Sequence, residues 1–308
     1  MLLRILGVLL LIAVVVIGFV VWSLRDLGAD ELETRYAAQD RFIEADGLRW
    51  RVRESGPTDA PALVLIHGFG YSLESWAGWA EILDDGFRVV RMDLPGHALT
   101  GPDPQDRYTN AQTTELFAGL MDALGLERFS LGGNSLGGLI AWRYAASHPD
   151  RVERLILVDA GGFPNQGVSD DPVEVPAAMK LYLTTAPEAG VQAANAALYG
   201  DPDKLSPERL TVIRDMMRRE GVGKALVDRV SVFTLPDPKP LLAQIQAPTL
   251  VMWGGKDAFI PVTHADLFVD ALSDVQLALY PELGHVPQEE APERTAQDAR
   301  AFLTASPS

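Results

Sequence analysis

The chain has 308 residues, 47% of them hydrophobic and 22% charged, a composition that supports a full core and excludes a disordered chain. Its 42 acidic against 26 basic side chains leave a net charge of −16, which repels a phosphate backbone and excludes nucleic acid as an expected partner. With no cysteine, disulfides, a thiol nucleophile and Cys-ligated metal sites are excluded too.

Residues 5–22 run without a charge between Arg4 and the Arg25-Asp26 pair. As a helix this run is about 27 Å long, close to the roughly 30 Å hydrocarbon core of a bilayer. Residues 1–25 are therefore expected to be a transmembrane anchor. A cleaved signal peptide is the competing reading, but its apolar stretch is usually about 7 to 15 residues, and Leu27-Gly28-Ala29 is a poor cleavage site. Arginines lie on both flanks. The order of a short basic tail before an apolar run matches a secretory signal and favours a single-pass membrane protein with an extracytoplasmic globule.

A polar connector, residues 26–40, leads to two alternating runs, residues 41–45 and 48–54, separated by Asp46-Gly47. That pattern predicts a hairpin. Short continuous apolar runs at 62–66, 87–92, 155–158 and 249–253 then read as buried parallel strands. Helical patterns at 110–124 and 136–147 alternate with them, so the fold class is α/β, a mostly parallel doubly wound sheet. The alternation breaks once. Residues 162–240 carry helical spacing without a convincing buried strand and are expected to form a helical cap, inserted into a core made of residues 41–161 and 241–308.

The sharpest chemical signal is Gly133-Asn134-Ser135-Leu136-Gly137, set between an apolar run and a helical one. This is the strand-turn-helix elbow that exposes a serine at the rim of a sheet. A serine hydroxyl needs a base within reach and a third group to hold that base in the right tautomer. Of five histidines, His285 lies in a loop between the expected last strand, residues 276–280, and a final helix near Pro287. Such loops at the carboxyl ends of strands do the chemistry of this sheet class. His67, His97, His148 and His264 read as structural. Asp257, after the 249–253 run, is the expected acid, with Asp159 at the end of the 155–158 run as its rival. The amides of Leu136, at the helix start, and Phe69, between Gly68 and Gly70, are the expected oxyanion donors.

With these residues assembled, residues 41–303 resemble the α/β-hydrolase family, in its serine-nucleophile subgroup with a helical cap. The resemblance rests on His67-Gly68, the loop from Asp93 to His97, the elbow at Ser135, the segment from Trp253 to Asp257, and Gly284-His285. It implies Ser135 as nucleophile, His285 as general base, Asp257 as its orienter and Phe69 and Leu136 as the oxyanion hole. Ala98 stands where the family commonly has glycine. Haloalkane dehalogenases and epoxide hydrolases of this fold use an aspartate nucleophile, so Ser135 argues against both. The expected activity is that of a carboxylesterase or lipase-like enzyme on a small apolar ester. The cap residues Met179, Leu181, Tyr182, Leu183, Tyr199 and Phe233 would line its acyl pocket. Because the Gly-Asn-Ser-x-Gly-Gly form also occurs in carbon-carbon hydrolases, carbon-carbon or lactone hydrolysis on the same triad is the alternative. An idle ligand-binding module has little support, since no triad member is missing. No cofactor and no metal are expected: Gly255-Lys256-Asp257 lacks the P-loop pattern and Gly68-Phe69-Gly70 lacks the third glycine of a dinucleotide fingerprint. The sequence carries no signal for an oligomeric state.

Overall fold

A computed structural model describes residues 25–305. Residues 5–22, on which the expected anchor rests, lie outside the described residues; within them, no helix is long and apolar enough to cross a membrane. The connector is more ordered than its polar composition suggested: α1 (Ala29–Tyr36) occupies much of it. The strands are β1 (Arg41–Ala45), β2 (Leu48–Ser55), β3 (Ala62–Ile66), β4 (Arg88–Met92), β5 (Phe129–Asn134), β6 (Val152–Val158), β7 (Thr249–Gly254) and β8 (Val275–Tyr280). Between β3 and β6 lie α2 (Ala77–Leu83), α3 (Asn110–Ala123) and α4 (Leu136–Ser147). Between β6 and β7 lie α5 (Ala177–Thr185), α6 (Glu188–Ala196), α7 (Pro207–Met217), α8 (Val222–Ser231) and the short α9 (Lys239–Leu242), which crosses the expected boundary at residue 240. Helix α10 (Thr263–Ala271) precedes β8, and α11 (Pro287–Glu290) and α12 (Pro292–Thr304) follow it.

The strands form one sheet in the order β1-β2-β4-β3-β5-β6-β7-β8. Antiparallel pairing is confined to β1, β2 and β4, and the rest is parallel. The hairpin forms where Asp46-Gly47 predicts it: both residues have positive φ, 51° and 78°, and Ala45 pairs with Leu48. That is the backbone hand a two-residue hairpin requires. Strands β3, β5 and β7 are buried along nearly their whole length because helices cover both faces. Helix α3 starts with a capping box in which Thr109 and Gln112 satisfy each other's amides. At the far edge β8 shows a weaker pattern, with Leu277 and Leu279 exposed.

The segment before β1 is tied down by charge. Arg51 on β2 is fully buried and bonded to Asp40, Glu74 and Asp93. Its Nη2 also donates to the Tyr36 carbonyl at the end of α1. A guanidinium removed from water is tolerated only with such partners, and the partners in turn depend on it. Asp93 accepts from the Leu73 and Leu99 amides, so the network reaches the loops after β3 and β4. Arg51→Ala leaves these carboxylates without their shared cation, and equilibrium unfolding is expected to show a loss of about 3 to 5 kcal/mol.

Candidate active site

The chain leaves β5 and enters α4 through a single strained residue. Ser135 has φ 54° and ψ −116°, a conformation that costs of order 1–3 kcal/mol in a non-glycine residue. Two flanking glycines permit it by close approach. A Cβ on Gly133 would lie 2.3 Å from the Gly137 carbonyl oxygen, and one on Gly137 would lie 2.1 Å from the Ile66 carbonyl oxygen. The Ser135 amide donates to Val158 O, and the Ser135 carbonyl accepts from Leu139 and Gly161.

The structure brings the expected residues together. Ser135, Leu136, Phe69 and His285 all line one cavity of about 500 Å³ at the carboxyl ends of the strands. His285 Nδ1 lies 2.6 Å from Asp257 Oδ2, and because a carboxylate only accepts, the ring proton is assigned to Nδ1. This leaves Nε2 as the free basic nitrogen. Burial pushes the Asp257 carboxyl up, but His285 and the Ile260 and Phe259 amides outweigh it and hold Asp257 below the usual carboxylate range. Among the described residues, neither the Phe69 nor the Leu136 amide donates a hydrogen bond, so both remain available to an anion. The Ser135 hydroxyl has no hydrogen bond to a described residue, a link that often tightens only with substrate.

The rival acid sits behind the chosen one. Asp159 is fully buried, with φ 43°, and its Oδ1 accepts from the Gly254 amide. Ligand atoms of Asp159, Asp257 and His285 fall within 4.8 Å of one another. Burial, then the negative Asp257, raises the Asp159 carboxyl well above its ordinary value. Two adjacent buried carboxyls do not both ionise, and Asp159 is the one that keeps its proton. A cation bound among the three groups would have to break the contact between His285 and Asp257.

The other histidines take structural positions. His67 Nε2 accepts from the Leu94 amide and Nδ1 donates to Gly68 O, holding the loop that carries Phe69. His97 packs edge-on against both His67 and Phe69. His148 caps α4 and His264 lies on α10. Of the residues expected to line an acyl pocket, Met179, Tyr182, Leu183 and Phe233 line the cavity. Leu181 instead points to solvent at 63% exposure, and Tyr199 is buried with its hydroxyl on Glu289.

Two supports carried no sequence signal. Asn134 Nδ2 donates to the carbonyls of both Val158 and His285, fastening the base loop to the elbow. Glu290 accepts from the amides of Gly284, Gly200 and Asp201. Its neighbour Glu289 pairs with Arg209 at 2.6 Å. Asn134 was visible only as an unassigned position of the elbow, and the glutamates look like an ordinary acidic helix start.

The family model of the α/β hydrolase fold matches residues 61–292. The chain belongs to the α/β-hydrolase fold family and is a hydrolase. It is 30% identical to the 2-hydroxy-6-oxo-6-phenylhexa-2,4-dienoate hydrolase of Comamonas testosteroni, over 85% of this chain and 94% of that one. Lipase 1 of Psychrobacter immobilis is 28% identical, over 84% and 81%. Among solved structures, a bacterial membrane phospholipase A superposes with a TM-score of 0.73 at 27% identity, over 98% of both chains.

Burial pushes the His67 imidazole down to about 4, whereas in an unfolded chain it titrates near ~6.5. The unfolded state therefore takes up a proton that the native state refuses. The stability this group contributes is full above pH ~6.5 and is lost as pH falls toward ~4, by about 3 kcal/mol. Thermal melts from pH 7 to 4.5 are expected to show a shallower decline for His67→Gln, which keeps an acceptor for Leu94 but cannot be protonated.

Proposed function

We propose that this hydrolase cleaves carboxylic esters with apolar acyl groups. The observation that carries the reading is the cavity at Ser135, walled by Phe69, Met179, Leu183, Ile213, Phe233 and Leu235. An acyl chain is bound in such a space by burial alone. Ser135 attacks the ester carbonyl as His285 Nε2 takes its proton. The Phe69 and Leu136 amides receive the developing oxyanion, and Asp257 holds the imidazole and stabilises its cation. The protonated imidazole gives its proton to the departing alcohol. Water, activated by the same nitrogen, then releases the acid from the acyl-enzyme.

The domain reading is part of the proposal: residues 162–240 act as a cap over a core of 41–161 and 241–308. Residues 1–25 anchor the chain, with the globule outside the cytoplasm. The superposition with a membrane phospholipase A over 98% of the chain supports an anchor. No cofactor enters the mechanism.

Carbon-carbon hydrolysis on the same triad is the second reading, favoured by the 30% identity to a dienoate hydrolase. Such a substrate carries a carboxylate. Arg229 is the one arginine or lysine among the described cavity residues; its Nη atoms donate to Tyr108 O, Thr113 Oγ1 and Pro95 O, while its buried Nε has no partner and is a donor such a carboxylate could meet. The apolar walls around Ser135 are what favours the ester.

Turnover of p-nitrophenyl esters from acetate to palmitate by the full chain in detergent tests both readings. Serine-dependent hydrolysis with an optimum beyond the shortest acyl groups is expected; a folded protein that cleaves only dienoates refutes the ester reading. Ser135→Ala should abolish turnover and Asp257→Asn should lower kcat by about 10⁴-fold. Asp159→Asn, a neutral isostere at a buried carboxyl that does not touch His285, should stay near wild type.

A further inference from the structure

The loop that carries His285 is held at three points. The His285 amide donates to Leu198 O at 2.7 Å, and the Lys256 amide, next to Asp257, donates to Leu283 O at 2.9 Å. The Gly284 amide donates to Glu290 Oε2 at 2.8 Å. There is no slack between these segments: a Cβ on Gly284 would overlap the Leu198 carbonyl oxygen, and one on Gly254 the Gly284 carbonyl oxygen. The end of β7, the His285 loop and residues 198–201 thus meet backbone to backbone, and a shift in one is passed to the others.

Glu290 is the side chain at the centre of that junction. It ends α11, five residues beyond His285, and folds back over its own loop with only 5% exposure. Both oxygens are used. Oε2 accepts the Gly284 and Gly200 amides at 2.8 and 2.9 Å, and Oε1 accepts the Asp201 amide at 3.0 Å. Hydrogen bonds to a carboxylate are stronger than those between neutral groups, and a buried amide that loses its acceptor is costly. All three donors are main-chain amides, so the carboxylate acts on the course of the backbone. Gly284 stands directly before His285, and Gly200 lies two residues after Leu198, which both accepts the His285 amide and lines the cavity.

We propose that Glu290 is a positioning residue for hydrolysis: its carboxylate sets where the His285 ring stands between Asp257 and Ser135. This rests on the reading of Ser135 as nucleophile and His285 as base. Removing the carboxylate frees the Gly284 amide and parts the loop from residues 200–201. A displacement of about 1 Å at a proton-transfer group costs on the order of 10²-fold in rate. Glutamine keeps one oxygen, which has lone pairs for both the Gly284 and the Gly200 amides and gives up only the bond to Asp201.

Glu290→Ala, Glu290→Gln and Glu290→Asp of the full chain in detergent are compared by kcat, KM, thermal melting and the rate at which a fluorophosphonate labels Ser135. Leu120→Ala, a core truncation on α3, is the reference for lost stability alone. Glu290→Ala should lower kcat and the labelling rate together by about 10²-fold with KM within about threefold, and Glu290→Gln should recover at least about tenfold of that loss. Glu290→Asp keeps the charge but is one methylene too short to hold Gly284 and Asp201 at once, and should resemble Glu290→Ala. A folded Glu290→Ala that retains native kcat overturns the proposal. So does a loss no larger than that of Leu120→Ala at equal melting temperature, or a failure of both Glu290→Ala and Glu290→Asp to fold, because either result makes the role structural. Native protein that is labelled yet cleaves no ester refutes the ester reading alone, and the labelling rates still decide on Glu290. Native protein that is not labelled overturns the reading of Ser135 and His285 and this proposal with it.

Discussion

The site depends on one backbone-to-backbone contact, the approach of the elbow to the end of β3. Gly137 lies so close to the Ile66 carbonyl that even a methyl group would separate them. That contact holds Ser135 beside Gly68, whose hypothetical Cβ would lie 3.3 Å from the Ser135 Cβ. It therefore sets Ser135 and the Phe69 amide in register. The strain at Ser135 is offset locally, by hydrogen bonds from its amide and to its carbonyl that tie it to β6 and to the start of α4. Loosening either glycine would release the strain and the register together.

The His285 loop is held from two sides. From the core, Asn134 takes the His285 carbonyl; from the insertion, Leu198 O accepts the His285 amide at 2.7 Å. Glu290 joins Gly284 to Gly200 and Asp201, while Glu289 receives Arg209 and Tyr199. The helices of residues 162–240 thus do more than wall the cavity: they fix where the imidazole stands. Sequence changes in that region that reshape the cavity are constrained by their effect on His285.

Much of this was legible because its causes are local. The hairpin follows from Asp46-Gly47, the buried strands from unbroken apolar runs, and the elbow from glycines that leave no room for a Cβ. The positions of Asp257 and His285 followed from chain order and loop placement, and the contact between them bears on that reading directly. What stayed hidden depends on partners far away in sequence. The connector reads as polar, and nothing in Asp40 announces that it closes on Arg51 and Arg53. Leu32 reads as one leucine in a charged stretch, yet it is fully buried beside Met216 and Leu99. Asp159 reads as a possible orienter, and only the structure shows that Asp257, not Asp159, meets His285 Nδ1 while Asp159 accepts from the Gly254 amide. The split among Met179, Leu181 and Tyr199 depends on helix rotation within the insertion, which composition does not encode.

The clamp on α1 gives the molecule a mechanical character. Residues 25–40 are bonded to α7 through Arg35 and Tyr36 on Asp215 and, four residues further on, to β2 through Asp40. Any tension arriving along the chain on the amino-terminal side of residue 25 is divided between α7 and the sheet, and loads contacts in parallel before it can peel a strand. The attachment behaves as a rivet through two plates, so residues 25–40 and the rest of the globule move as one body.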